Sequence, residues 1–147
     1  MKKKKRVLII RCGLLGDTVD ATSVIEPLID HFKNNVEINW VSRPGISDLF
    51  KHDFRINKVY VLKHTNLPFI FNVDKLRIIF DSIFNPYDLI LNLEIGKKFN
   101  DIVSVSRSKN KIGMPYHFIV DDIFKEHRVE HQLRILDKYL DKYDRKK

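Results

Sequence analysis

The chain has 147 residues, a length that suits one domain with a sizeable core. Hydrophobic residues make up 44% and charged residues 31%, a globular balance that excludes a disordered chain. The 27 Lys and Arg residues outnumber the 19 Asp and Glu residues and give a net charge of +8, which favours anionic, phosphate-rich partners. A single cysteine, Cys12, excludes an internal disulfide and indicates a reducing compartment, so we expect a cytoplasmic protein.

Strand and helix patterns alternate along the chain. The first apolar run, 7–10, predicts a buried strand, and a turn with Gly13 and Gly16 separates it from a helical pattern. Predicted strands cover 6–11, 36–42, 57–63, 88–94 and 110–114. Predicted helices cover 17–33, 45–51, 73–84, 97–108 and 127–143. This alternation is typical of an α/β fold with a mostly parallel open sheet and helices on both faces.

Both ends of the chain are basic, which gives a tail at 1–5, a domain at 6–143 and a basic end at 144–147. A terminal run of charge is usually a solvated tail. The alternative for the cluster 2–6 is an anchor on an anionic membrane surface. Nucleic acid is not an expected partner, because the aromatic residues fall within apolar patterns and are not interleaved with a basic stripe.

The turn after the first strand is the first candidate site, because open α/β sheets bind ligands at the carboxyl ends of their strands. Asp17 follows this turn at the start of the predicted helix. A carboxylate there suits a general base, and its structural alternative is a helix N-cap. The glycines do not form a dinucleotide-binding fingerprint, since Arg11 stands where the first glycine should be. They permit either close approach of a ligand or simply a tight turn.

Five segments, in order, resemble the N-terminal domain of the family 9 glycosyltransferases, the bacterial heptosyltransferases that build the lipopolysaccharide core. The first joins Arg11 at the strand end to Gly16 and Asp17 in the turn and to Pro27 and Leu28 in the helix. The others are 38–41 with 44–45 and 48–50, then 57–62, 87–94 and 111–113. The resemblance implies half of a GT-B glycosyltransferase, whose two Rossmann-like domains bind the acceptor (N-terminal) and the donor (C-terminal).

The resemblance also implies roles for particular residues. Asp17 would be the catalytic base. Acceptor-binding residues would lie around it and after the fourth strand: Gly13, Leu14, Leu15, Gly16, Thr18, Asp20, Glu94 and Lys98. The family stretch after that strand often reads Asp-X-Gln-Gly-X-X-Lys. Here Asn92 and Glu94 replace the first two polar residues, Gly96 comes one place later, and Lys98 keeps its position.

The implied enzyme is inverting and moves a sugar from a nucleotide-sugar donor, similar to ADP-heptose, to a lipid-linked saccharide at the cytoplasmic membrane face. The donor would bind in the missing C-terminal domain, and this domain would hold no cofactor or metal. Alone, the chain would be inactive. It would be a fragment, one half of a two-chain enzyme or a reused domain.

Other functions receive weaker support. A non-catalytic α/β binding or interaction module of the same fold is the alternative. His127, Glu130 and His131 match the inverted zinc-protease pattern, but the family has a similar helix opening without metal. A receiver domain is disfavoured, because the paired acids it needs after the first strand are missing.

Overall fold

A computed structural model describes residues 3–94, 96–113, 115, 133–134 and 136–137. Within them, five strands form one sheet in the order β3-β2-β1-β4-β5, and every neighbouring pair is parallel. The strands are β1 (Lys5–Ile10), β2 (Val36–Ser42), β3 (Ile56–Val61), β4 (Tyr87–Asn92) and β5 (Ser108–Gly113). The predicted Rossmann-like α/β fold with an open parallel sheet is confirmed.

Among the described residues, four α-helices connect the strands: α1 (Leu15–Ala21), α2 (Ile25–His31), α3 (Val73–Phe84) and α4 (Asn100–Val105). Short 3-10 turns lie at Thr22–Val24, Ile46–Phe50, Phe69–Phe71 and Lys97–Phe99. Helix α3 has the predicted bounds, and Asn72 caps it by accepting hydrogen bonds from the backbone N–H of Asp74 and of Lys75. The predicted helix 127–143 lies almost entirely outside the described residues.

The prediction of one continuous helix at 17–33 is wrong. The segment divides into α1, a 3-10 turn and α2. Pro27 lies in the first turn of α2, where its missing N–H costs nothing, but its ring would clash with the carbonyl of residue 23 in a continuous α-helix. The Thr22 hydroxyl donates to the carbonyl of Val19 at 2.6 Å, a local bond that competes with the regular helix.

Both faces of the sheet carry a hydrophobic core. One face, with Val7, Ile9 and Trp40, packs against α1 and α2, and the buried Leu136 joins this cluster. The other, with Leu8 and Ile10, packs against α3 and α4. Burial on both faces explains why the central strands are continuous apolar runs.

The carboxyl ends of the central strands lie at one edge of the sheet. Ile10 pairs with both Val41 and Asn92, and Asn92 pairs with Gly113. Gly113 has φ +96°, and a Cβ there would clash with the carbonyl oxygen of Asn92. This edge therefore brings the residues that follow β1, β2 and β4 close together.

The opposite edge holds part of the basic N-terminus in structural contacts. Arg6 is buried, with its guanidinium 4.4 Å from the Tyr87 ring centroid and its Nη1 donating to the carbonyl of Asn85. The backbone N–H of Arg6 donates to Asp88 at 2.8 Å, and Lys5 belongs to β1. Of the basic cluster 2–6, for which a membrane anchor was the alternative interpretation, Arg6 is buried in the fold.

Candidate functional site at the carboxyl edge of the sheet

A cation follows each of the first four strands. Arg11 comes directly after β1, Arg43 after β2, Lys63 two residues after β3, and Lys98 in the 3-10 turn after β4. Parallel strands end at one edge of the sheet, so these four side chains converge there. The edge is therefore a natural place for an anionic ligand.

Arg11 joins two carboxylates from distant parts of the chain. Its Nη2 lies 3.6 Å from Oδ1 of Asp17, and its Nη1 lies 3.3 Å from Oε2 of Glu94. The guanidinium is buried, and Trp40 Nε1 donates to the carbonyl of Arg11 at 3.2 Å. One fixed positive charge between two carboxylates leaves a net charge of −1 and sets the positions of both acids.

The backbone fixes Glu94 from two sides. Its Oε1 accepts from the backbone N–H of Cys12 at 2.6 Å, and its own N–H donates to Oδ1 of Asn92 at 3.0 Å. The first bond spans the gap between β1 and β4, so it links the two loops that form the site. Glu94 thus has a defined structural role.

Gly13 allows Asp17 to approach the loop after β1. A Cβ on Gly13 would lie 2.7 Å from Cβ and 2.9 Å from Oδ2 of Asp17, closer than real side chains come. Asp17 stands in the first turn of α1, whose N-cap is Leu14 and has no side-chain cap. The N-cap interpretation of Asp17 is therefore wrong.

An open pocket of about 190 Å³ lies beside Glu94. Its walls come from the loops after four strands: Cys12, Arg43, Pro44, Leu62, Lys63, Thr65, Glu94, Lys98 and Phe99. Three cations and one carboxylate line this space, which suits a polar ligand with both an anionic group and hydroxyl donors.

A buried lysine on α3 holds two walls of this pocket together. Lys75 Nζ donates to the carbonyl of Lys98 at 2.7 Å and lies 3.0 and 3.1 Å from the carboxylate oxygens of Asp101. Asp101 also accepts from the backbone N–H of Phe69 at 3.0 Å. The loop that carries Lys63 and the turn that carries Lys98 are therefore tied to one ammonium group.

Burial, followed by the charge of Glu94, raises the pKa of the Cys12 thiol to about 12. The thiol is therefore neutral near pH 7 and is a poor nucleophile.

The predicted site residues divide into two groups. Glu94 and Lys98 line the pocket, and Arg11 connects Glu94 to Asp17. The predicted residues of the loop after β1 and of α1 do not line this pocket: Gly13, Leu14, Leu15, Gly16, Asp17, Thr18 and Asp20. Leu14 and Leu15 are exposed, whereas Thr18 is completely buried.

Sequence reasoning named Arg11 only as a motif residue and did not name Arg43, Lys63 or Lys75. The sequence did hold a signal for Arg11, Arg43 and Lys63, because each is a cation at or just after a predicted strand end. No comparable signal existed for Lys75, because a lysine within a helical pattern is normally exposed.

The described residues hold neither a cluster of metal ligands nor a membrane-spanning helix. No group of His, Cys, Asp and Glu there could hold a metal ion, and His127 and His131 lie outside those residues. Among the helices of the described residues, none is long and apolar enough to cross a bilayer.

Comparison with known proteins identifies relatives in sequence and in fold. No family model matches the chain. Lipopolysaccharide heptosyltransferase 1 of Campylobacter coli is 30% identical over 108 residues, which span 74% of this chain and 30% of that protein. The chain thus matches less than a third of the length of this relative.

Solved structures show the same fold. The family 9 glycosyltransferase of Veillonella parvula DSM 2008 superposes with a TM-score of 0.71 at 15% identity, over 93% of this chain and 42% of that one. E. coli heptosyltransferase WaaC with ADP superposes with a TM-score of 0.64 at 14% identity, over 90% of this chain and 47% of that one. Together, the sequence match and the two superpositions support a heptosyltransferase-like N-terminal domain of glycosyltransferase family 9.

Proposed function

We propose that this domain is the acceptor-binding half of an inverting glycosyltransferase whose acceptor is a lipid-linked saccharide, as in the lipopolysaccharide core. The observation that carries the proposal is the Arg11 bridge between Asp17 and Glu94, beside a pocket with Lys98 in its wall. The name of the Campylobacter coli relative supports both the sugar and the lipopolysaccharide.

Asp17 is the base of the proposed reaction. Its carboxylate takes the proton of an acceptor hydroxyl, the hydroxyl oxygen forms a bond to the anomeric carbon of the donor, and the bond from that carbon to the diphosphate breaks. The nucleoside diphosphate leaves with the electron pair, and attack from the opposite face inverts the anomeric centre. Arg11 keeps Asp17 in position, and Glu94 accepts a hydrogen bond from a second hydroxyl.

The three cations of the pocket bind the anionic part of the acceptor. Arg43 and Lys63 are exposed and approach from β2 and β3, while Lys98 approaches from the turn after β4. Guanidinium and ammonium groups at these positions suit a carboxylate or phosphate on the saccharide. A nucleotide-sugar donor, similar to ADP-heptose, binds in a C-terminal half.

A binding experiment with the 147-residue chain tests which half this is. We titrate the isotope-labelled chain with deacylated lipopolysaccharide core oligosaccharide and, separately, with ADP, and follow amide shifts by NMR. We expect saturable shifts at Glu94 and Lys98 with the oligosaccharide, and weaker binding in Arg43→Ala. Saturable ADP binding with no response to the oligosaccharide would overturn the assignment to the acceptor half.

A second experiment tests catalysis. In a chain completed with the donor-binding half of a family relative, Asp17→Asn should lower kcat by about 10² to 10⁴ and change KM little. Asp30→Asn on the exposed part of α2 is the control and should keep full activity. Full activity of Asp17→Asn would show that Asp17 is not the base. No transfer by the completed enzyme with Asp17 intact, while acceptor binding persists, would favour the alternative of a non-catalytic binding module.

A further inference from the structure

Helix α3 is apolar on two opposite faces. Its buried face packs into the core through Ile78 and Ile79. Its outer face carries Val73, Phe80 and Phe84, spaced so that they form one stripe along the helix. Since a helix with water on one side normally has a polar outer face, this stripe indicates a partner.

The apolar surface extends from this stripe into the 3-10 turn before the helix. It also includes Ile83, which lies beside the stripe. Its large apolar members are 45% to 86% exposed: Ile70, Phe71, Val73, Phe80, Ile83 and Phe84. We call these six side chains the α3 patch. Isolated exposed apolar residues are ordinary, but six within fifteen consecutive positions of one turn and helix mark an interaction surface.

The charges around the α3 patch are positive. Arg77 lies on the stripe between Val73 and Phe80, and the exposed Arg107 follows α4, with its backbone N–H bonded to Ser82 of α3. The two carboxylates of α3, Asp74 and Asp81, accept hydrogen bonds from residues in β3 or just after it. Asp74 accepts from the backbone N–H of Lys63 at 3.3 Å, and Asp81 accepts from Tyr60 at 2.6 Å and Lys58 at 3.2 Å.

A second copy of the chain fits the α3 patch poorly. In a two-fold contact centred on the stripe, Arg77 of one copy would face Arg77 of the other, and the stripe offers no carboxylate to pair with them. An anionic bilayer surface supplies both an apolar layer for the phenylalanines and negative charge for Arg77.

We propose that the α3 patch inserts into the surface of an anionic membrane, with Phe80 and Phe84 in the acyl boundary and Arg77 at the phosphates. The helix starts at the carboxyl edge of the sheet, because it follows β3, so Ile70, Phe71 and Val73 lie at the end nearest the pocket. Resting on the proposed function, this docking would place the pocket beside a membrane that holds the lipid-linked acceptor.

Vesicle binding of the 147-residue chain tests the proposal. We measure co-sedimentation with vesicles of mixed phosphatidylcholine and phosphatidylglycerol, and with vesicles of phosphatidylcholine alone. We expect binding to the anionic vesicles that weakens with salt. The double variant Phe80→Ser with Phe84→Ser should lower the partition coefficient on the order of 10- to 100-fold, and Arg77→Gln should lower it about 5-fold.

Two controls make the result specific to this surface. Phe54→Ser removes a phenylalanine that is 96% exposed and lies in the turn before β3, and it should leave binding unchanged. Lys3→Ser with Lys4→Ser tests the basic N-terminus and should have a smaller effect than loss of the two phenylalanines. If the lysine variant alone abolishes binding, the N-terminus is the anchor and the proposal is wrong.

A conservative variant covers the case in which the serine variants fail to fold. Phe84→Trp keeps an aromatic side chain at the patch, whereas the natural Trp40 is completely buried. We expect brominated lipids to quench the introduced indole and to leave Trp40 fluorescence unchanged. Lack of quenching overturns membrane insertion, and so does a change of oligomeric state in the serine variant without any vesicle binding. Neither readout needs a sugar acceptor, so failure here is distinct from failure of the proposed function.

Discussion

Replacement of Lys75 by methionine tests how the pocket walls are held. The side chain of Lys75 is 1% exposed, and its ammonium binds the Lys98 carbonyl and the Asp101 carboxylate at 2.7 to 3.1 Å. Methionine keeps most of the buried volume but removes the charge and all three hydrogen bonds. Lys75→Met would therefore leave a carboxylate and a carbonyl without their shared cation.

Two opposing effects determine how far Lys75→Met lowers the free energy of unfolding. Loss of one partner of a buried ion pair costs about 3 to 5 kcal/mol, since the remaining charge is left uncompensated. The Asp101 side chain is 23% exposed, so water can solvate part of its charge. We therefore expect a loss of about 2 to 4 kcal/mol in the free energy of unfolding, given that hydrogen bonds to charged groups contribute about 1.5 to 3 kcal/mol. At about 2 to 4 °C for each kcal/mol, Tm should fall by roughly 4 to 16 °C.

Lys58→Met is the matched control. Lys58 pairs with Asp81 at 3.2 Å, nearly the distance of the Lys75 pair, but its side chain is 48% exposed. An exposed pair contributes only about 0.2 to 1 kcal/mol, so this variant should be almost as stable as the natural protein. The two variants thus differ chiefly in burial.

Urea unfolding, followed by the fluorescence of the buried Trp40, measures both variants. The double variant Lys75→Met with Asp101→Asn should recover part of the loss, because the neutral amide is cheaper to leave unpaired than the carboxylate. Equal losses for Lys75→Met and Lys58→Met would refute the reasoning, since burial would then have no influence on the value of the pair.

Three further predictions concern single positions. Gly13→Ala should displace α1 because of the Asp17 contact and lower glycosyl transfer by the completed enzyme, with a smaller effect on acceptor binding by the chain. A hydrogen bond from the Arg55 side chain lowers the pKa of Asp53, so this pair stabilises the fold above about pH 4 and its contribution disappears as pH falls through the folded-state pKa. Asp53→Asn should therefore flatten the acid side of the stability profile in urea titrations, and an unchanged slope would contradict this. Cys12, with its pKa raised to about 12, should react with a disulfide reagent at pH 8 orders of magnitude more slowly in the native chain than in urea, as measured by absorbance.

Local patterns determined much of the fold. The sequence alone predicts β2 at 36–42 and α3 at 73–84, and the structure has the same bounds. Side-chain periodicity reflects the geometry of a few consecutive residues, so these elements can be predicted without tertiary information. The break near Pro27 was also local, and a stricter treatment of proline would have predicted it.

The candidate site brings together residues that are far apart in the sequence, so local patterns could not predict its contacts. Asp17 was predicted from its place after the first strand and Glu94 from the family resemblance, but the Arg11 bridge requires β1 and β4 to be neighbours in the sheet. Arg43 and Lys63 enter the pocket because β2 and β3 end at the same edge. Lys75 is buried only because α3 packs beside Asp101, a contact that no helical pattern encodes. Periodicity comes from neighbouring residues, whereas the order and register of the strands decide which distant charges meet.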